Sequence, residues 1–538
     1  MSTVSKAEVS PAAKVSTVRK NWVLFVVSLT TFMVFVDATV VNTALPSIAR
    51  DFAAPNSTLQ WVVNSYSLLV AGLLLLGGTT GDRFGRRKLL ALGAVVFGGA
   101  AVGAALSPNT SVLIAMRGLQ GVGAAFMLPS TLSIITDVFE RHERAKAIAV
   151  WTAVGGMAAG LGPVLGGLLV DQIGWEAVFW LHIPVVALIL TGLLIVPESR
   201  DSRRTPMDIP GAVLGTGGLL TVVYGIIQGP ESGWTSAEIL SFFAVGGILL
   251  AAFGMVEARS SHPMLPIRYL KQRDFIGPAV VVTVLVIAMS GAFFFTTQFL
   301  QLVQGRSALM AGVAITPVAG TMMLGAGIAA KGGQSLGPRA LSILGSLIVM
   351  GGMAVLALIE VEASYAVPII GMALFGFGFG IVMPTVTDTI MAAVPVDEAG
   401  IGSSMNDTSR EFGFALGVAI LGSIVTSIYR SDVTESLADV ASGEVVSGVA
   451  GSLGSLGQVT SLLPPDVASA VTIVANGAFV DAMRIGVLAG IGIVGLAIVI
   501  SLLTMPSKMR DAQAELEESR ATDDLIPTAA ARVPQTGD

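Results

Sequence analysis

The stretch "FVDATVVNTALP", residues 35–46, sets one carboxylate, Asp37, inside a run that is otherwise almost wholly apolar. A charge at the centre of a membrane helix costs roughly 2.5–3.5 kcal/mol on insertion scales. Only 12% of the chain is charged, so a carboxylate placed there calls for a use. A second charge, Arg117, lies in "AMRGLQGVGAA", residues 115–125, close to Gln120. A buried carboxylate can take up and release a proton, its occupancy set by the balance between burial and any neighbouring cation. Arg117 also has a blander reading, as a side chain snorkelling to the membrane interface.

The elements that hold these charges follow from composition. Of 538 residues, 53% are hydrophobic, with 63 Gly and 21 Met, and the mean hydropathy is +0.80. This is the profile of an all-α polytopic membrane protein. With no Cys there are no disulfides and no thiolate metal sites. A net charge of −6 gives no support to a nucleic-acid partner.

Apolar windows of about 20 residues, each enough to cross a hydrocarbon core of ~30 Å, recur along the chain. They lie near 22–45, 59–80, 89–107, 111–136, 147–170, 176–196, 209–228, 237–257, 275–300, 308–330, 340–359, 365–392, 401–428 and 479–504, fourteen in all. With the N-terminus in the cytoplasm, 24 Lys and Arg fall in interior segments and three in exterior loops, namely Arg50, Arg306 and Arg430. Arg117, Arg410 and Arg484 fall within spans. That asymmetry is a positive-inside signal, and it places both termini in the cytoplasm. The arm 1–21 and the tail 505–538 read as solvated, and the exterior loop 429–478 carries weak helical pattern at best. In this topology Asp37 lies roughly 12 Å, and Arg117 roughly 9 Å, below the same exterior surface at the rise of an α-helix. The two charges are therefore nearly level.

Gly121, Gly123 and Pro129 match Gly376, Gly378 and Pro384 at an offset of 255, and the same offset carries Gly162 onto Gly417. Two six-helix halves are implied, 22–196 and 275–504, separated by an inserted pair in 197–274. Parallel halves suit a carrier that rocks about a central substrate site.

Four stretches carry a family resemblance. "GGTTGDRFGRRKLL", residues 77–90, is similar to the cytoplasmic-loop signature of the major facilitator superfamily through Gly78, Asp82, Arg83, Gly85, Arg86 and Arg87, with Thr80 where Leu is usual. It reads as a charge latch or as an ordinary positive-inside hairpin. Arg117, Gln120, Gly121 and Gly123 resemble the family's fourth-span motif. Gly162, Pro163, Gly166 and Gly167 resemble the motif of its antiporter branch, with Ala158 where Gly is usual; a generic small-residue packing face is the alternative. "VDATVVNTALPSIARDF", which includes Asn42, resembles the first span of the fourteen-helix drug:proton antiporters. In "WEAVFWLHIP", Glu176 and His182 stand where that branch has Arg and Asn. His182 reads as a group satisfying backbone freed by Pro184, or as a pH sensor.

The second half offers Asp388, Asp407, Arg410 and Glu411, either as a structural ion-pair group or as a substrate-cation or second proton site. Phe293, Phe294, Phe295 and Trp61 are candidates for an apolar pocket, against ordinary packing.

The resemblance implies a major facilitator fold and a non-enzymatic exporter of amphipathic, cationic or lipophilic compounds. Its partners would be a small-molecule substrate, protons and membrane lipid. It would act as a monomer in a bacterial cytoplasmic membrane, driven by the proton gradient without a cofactor or metal. The residues add that no Gly-x4-Gly-Lys-Ser/Thr loop is present, so ATP-driven pumping within the chain is unsupported. Proton-symport uptake of a small solute is the competing reading, and a membrane-embedded enzyme or scaffold a remote one.

Overall fold

The computed structural model describes residues 17–200, 208–260, 263, 267–332, 335–394 and 399–507. The expected arm lies outside the described residues up to residue 16, and the expected tail from residue 508. All regular structure among the described residues is helical.

The first seven helices are α1 (Thr17–Phe52), α2 (Asn56–Phe84), α3 (Arg86–Ala105), α4 (Thr110–Val138), α5 (Arg141–Gln172), α6 (Ala177–Trp180) and α7 (His182–Leu193). Next come α8 (Ile209–Ser232), α9 (Ala237–Arg259) and the short α10 (Ile267–Leu270). The rest of the chain forms α11 (Arg273–Gln298), α12 (Ala308–Ile315), α13 (Pro317–Gly332), α14 (Gly337–Leu356), α15 (Ala366–Ala392), α16 (Ala399–Leu437), α17 (Gly443–Gly451), α18 (Leu456–Thr460) and α19 (Pro465–Thr504).

Thirteen helices among the described residues are long and apolar enough to cross a membrane. The expected sixth span is shorter, Ala177–Leu193, and is broken at Leu181 into α6 and α7. Pro184 has no amide to offer the carbonyl one turn earlier, so the helical ladder is interrupted there. Several helix starts carry side-chain caps. Asn109 accepts from Val112 N at 3.0 Å, Asp208 from Gly211 N at 2.8 Å and Ser307 from Met310 N at 3.2 Å.

Two expectations are corrected. Residues 17–21 of the arm already belong to α1, and Lys20 is held by Glu143 at 2.6 Å and Glu140 at 3.5 Å. The loop 429–478 is largely helical: α16 runs on to Leu437, and α19 starts at Pro465. Between them α17 buries Val446, Val449 and Ala450, and Tyr429 donates its hydroxyl to the Val449 carbonyl at 3.0 Å. Burial against the bundle makes these segments helical.

Helix α8 packs on both α2 and α16, so the inserted pair leans on the seam between the two ends of the chain. Ser57 donates to Glu231 at 2.5 Å, and Ser423 to the Ile226 carbonyl at 2.7 Å, tying α8 to each side.

Candidate functional site

Asp37 comes from the middle of α1 and Arg117 from α4, and both are removed from solvent, at 0% and 1% exposure. Arg117 Nη1 donates to Asp37 Oδ2 at 2.7 Å and to Gln120 Oε1 at 3.0 Å. Its Nε donates to the Val62 carbonyl at 3.2 Å, and the guanidinium lies 4.5 Å from the centre of the Tyr66 ring. The snorkelling reading of Arg117 fails, because the side chain is directed into the bundle. Glycines make this geometry possible. A Cβ on Gly121 would meet the Tyr66 carbonyl oxygen at 2.5 Å, so only glycine lets α4 approach α2 closely enough to seat the guanidinium on Val62 and Tyr66.

His182, the first residue of α7, is the third member of the cluster. Its Nε2 is 3.5 Å from Asp37 Oδ1, its Nδ1 is 3.3 Å from the Phe179 carbonyl, and the Phe97 ring meets it edge-on at 5.3 Å. The expectation that His182 serves backbone freed by Pro184 is therefore corrected. It bonds the Phe179 carbonyl, whereas Pro184 frees that of Trp180, and its other nitrogen faces the buried carboxylate. The break at Leu181 starts a new helix at His182 and gives its ring this approach.

The antiporter-like motif is where α5 meets two neighbours. A Cβ on Gly162 would lie 1.9 Å from Thr39 Oγ1 and one on Gly166 would lie 2.3 Å from Thr43 Oγ1, both on α1. Gly167 faces the Ala308 carbonyl of α12 at 2.5 Å, and Gly312 approaches the Pro163 carbonyl at 2.1 Å, by the same measure. The motif thus holds α5 tightly to the helix that carries Asp37 and to α12 of the second half.

The cytoplasmic-loop motif is also assembled. Arg86 pairs with Asp82 at 2.7 Å and with Asp137 on α4, while Arg87 donates to the Val196 carbonyl at 3.1 Å and pairs with Glu198 at 3.7 Å. Gly85 turns the chain at φ 116°. Arg83 is not part of the cluster; it lies exposed over Phe84. Asp137 and Glu198 were not singled out from sequence, though each lies at the end of a segment on the same membrane face as the loop.

The remaining candidates make no hydrogen bond to the Asp37–Arg117 pair among the described residues. Asn42 donates to the Ala38 carbonyl at 3.2 Å within its own helix. Arg410 is 3.7 Å from Asp407 and 5.4 Å from the centre of the Phe35 ring, while Asp388 and Glu411 make no ion pair among the described residues. Phe293, Phe294 and Phe295 are packed in the core, and Trp61 lies against Tyr224 at 5.8 Å, so they do not define a pocket. Among the described residues, no group of three or more His, Cys, Asp or Glu side chains is placed to hold a metal.

Hydrogen bonds between residues 17–200 and 267–507 cluster at one face of the bundle, opposite the Gly85 turn. Asp171 accepts from Ala308 N and Leu309 N, each at 2.9 Å, and so caps a helix of the other half. Gln301 donates to the Thr43 carbonyl at 3.0 Å, Asn56 to Thr426 at 2.6 Å and Gln458 to the Arg50 carbonyl at 2.6 Å. Among the described residues, no hydrogen bond joins these halves at the face carrying Gly85 and Met505.

The apolar helices are long enough to form a multi-pass membrane bundle, and it encloses a buried ion pair. The Major Facilitator Superfamily profile matches residues 27–418, and the chain belongs to that family. It is a multi-pass transporter of the cell membrane, not an enzyme. The multidrug efflux pump LfrA of Mycolicibacterium smegmatis is 34% identical over 466 residues, 86% of this chain and 91% of that one. The puromycin resistance protein pur8 of Streptomyces alboniger is 35% identical over 438 residues, covering 79% and 86%. Among solved structures, a bacterial homologue of the lysosomal transporter Spinster, in an inward-facing and occupied conformation, aligns with TM-score 0.62 at 16% identity, covering 92% and 99%. A D-xylose–proton symporter aligns with TM-score 0.55 at 17% identity, covering 81% and 96%. At these identities the solved structures speak for the fold alone.

Proposed function

We propose that this protein exports amphipathic, cationic or lipophilic drugs in exchange for protons, with Asp37 as the coupling carboxylate and Arg117 as its partner. The observation that carries the reading is the 2.7 Å ion pair between two fully buried residues. Holding a charge pair out of water is costly, and such intramembrane pairs mark ion and proton pathways. Relatives named for multidrug efflux and puromycin resistance support drug export as the direction and cargo. The bias in Lys and Arg supports cytoplasmic termini. On that topology the hydrogen-bonded face is the exterior one.

In this mechanism a proton arriving at Asp37 weakens its hold on Arg117 and releases a bound cation outward, and loss of the proton inside restores the pair. The Gly162–Gly167 motif holds the helix beside Asp37, and the Asp82–Arg86–Asp137 cluster latches the interior face. The halves 22–196 and 275–504 rock about the site, with 197–274 as a brace; the transporter works as a monomer and uses no cofactor beyond the proton gradient. The test is an efflux panel of dyes and antibiotics in a pump-deleted host. Wild type should lower accumulation of several compounds, and Asp37→Asn should abolish the effect at equal expression. Proton-driven efflux by Asp37→Asn would overturn the assignment.

A further inference from the structure

We propose that Asp37 Oδ1 and His182 Nε2 form one shared proton-binding site. The inference rests on the reading of Asp37 as the coupling carboxylate and adds a second proton-holding residue to it. The Phe179 carbonyl can only accept a hydrogen bond, and on that ground the ring hydrogen is assigned to the nitrogen beside it, Nδ1 at 3.3 Å. In neutral imidazole the other nitrogen, Nε2, then presents a lone pair, and it presents it to Asp37 Oδ1 at 3.5 Å. Neither Oδ1 nor Nε2 has a hydrogen-bond partner among the described residues, since Arg117 uses Oδ2. Two buried acceptors therefore face each other across a gap with room for one hydrogen. A single proton resolves the clash: it sits on Oδ1 and donates to Nε2, or on Nε2 and donates to Oδ1.

The charges balance in either form. Without that proton, Asp37, Arg117 and neutral His182 sum to zero; with it they sum to plus one, wherever it resides. The charged groups that act on His182 are Asp37 from α1 and Arg117 from α4, while α3 contributes the uncharged Phe97 ring. When the proton is on Nε2 the carboxylate keeps both cations as partners. The site can then load a proton without first breaking the Arg117 bridge. Protonation on Nε2 rather than on Oδ1 leaves the full carboxylate charge to hold Arg117.

The full-length protein in lipid nanodiscs, with ¹⁵N-labelled histidine, tests this directly. The chain has only three histidines, so His182 is assigned by its loss in His182→Asn. The expected result is an Nδ1–H tautomer at alkaline pH and a His182 titration that moves in Asp37→Asn. An Nε2–H tautomer, or a titration indifferent to Asp37→Asn, overturns the proposal. A second arm reads proton-driven ethidium transport by proteoliposomes against pH. Asn offers Asp37 a donor in place of a lone pair and so favours the proton-free carboxylate. The midpoint of His182→Asn should move about one pH unit to the acid side, tenfold in proton affinity. A wild-type midpoint in a folded His182→Asn protein would also overturn it. Failure of the underlying reading looks different: Asp37→Asn would then transport ethidium under a proton gradient.

Discussion

Gly162 in the first half and Gly417 in the second occupy the same kind of helix crossing. A Cβ at Gly162 would meet Thr39 Oγ1 and the Val36 carbonyl; one at Gly417 would meet Ser290 Oγ and the Ile287 carbonyl. Gly123 approaches the Gly93 carbonyl at 2.8 Å, and Gly378 the Gly345 carbonyl at 2.4 Å, measured from the same added atom. The turns repeat as well. Gly85 and Gly337 both have positive φ, and two residues later Arg87 and Arg339 donate to the Val196 and Met505 carbonyls. At the centre the halves part. The register that pairs Thr39 with Ser290 sets Ala288 opposite Asp37, and the offset that pairs Gly121 with Gly376 sets Met372 opposite Arg117. Ala288 and Met372 are both fully buried. The same crossings therefore close over an apolar centre, so the ion pair of the first half is not what builds the bundle. It was placed in a scaffold that holds without it.

The largest expected effect comes from making the first half resemble the second. Arg117→Met alone leaves the Asp37 carboxylate buried without its arginine, and breaking a buried pair in this way costs about 3–5 kcal/mol. The double variant Asp37→Ala/Arg117→Met removes both charges, and apolar replacement of a buried pair is commonly neutral or stabilising by about 1–4 kcal/mol. Thermal unfolding of the purified proteins should rank the double variant well above Arg117→Met, while drug efflux is absent in both. If the two variants unfold at the same temperature, the second half is a poor template for the first. If the double variant still exports, the charges are not the coupling site.

What the sequence made legible follows the same division. Spacing of glycines and prolines exposed the repeat, because close helix approach tolerates little else. The depths of Asp37 and Arg117 could be compared, because helical rise and the bias in Lys and Arg fix where each span begins. Their direct contact could not, since span-to-span distance depends on packing that no single segment encodes. His182 was set against Pro184 because both lie in one stretch. Its approach to Asp37 depends on the break at Leu181, a tertiary consequence. Asp137, Glu198 and Asp171 were passed over for a related reason: an acid at a helix end is ordinary until its partner, far along the chain, is known. The helical content of 429–478 was missed because its Val, Gly and Ser are weak helix formers that fold by burial.

An intermediate effect distinguishes the two glycine crossings. At Gly162 the nearest obstruction is a hydroxyl tip, with the next atom, Thr39 Cβ, at 3.1 Å; at Gly417 the Ile287 backbone oxygen stands at 2.4 Å and its Cα at 2.7 Å. A threonine side chain can turn aside, whereas a packed helix backbone must shift as a unit. Gly417→Ala should therefore lower stability by about 1–3 kcal/mol, the usual range for overpacking, and Gly162→Ala by less. Adding Thr39→Ala should recover the loss in Gly162→Ala, while Ser290→Ala should leave Gly417→Ala impaired. Unfolding temperatures of the four proteins decide it, and equal rescue at both sites would mean that the crossings are not built differently.

The smallest effect concerns the loops. The first half fastens its turn with charges, Arg86 to Asp82 and Asp137, whereas Arg339 in the second donates to the Met505 carbonyl at 2.7 Å. Asp137 is partly exposed, so its pairing is worth about 0.2–1 kcal/mol and is screened by salt. Asp137→Asn should cost that much at low ionic strength and almost nothing at high salt. Arg339→Gln loses a hydrogen bond whose acceptor is neutral, so its cost should hardly change over the same range. Unfolding temperatures at two salt concentrations measure both, and the first difference should vanish while the second persists. An equal salt response would show that the acids at the first turn are solvated surface charges rather than a fastening, leaving the buried centre as the one place where charge separates the two halves.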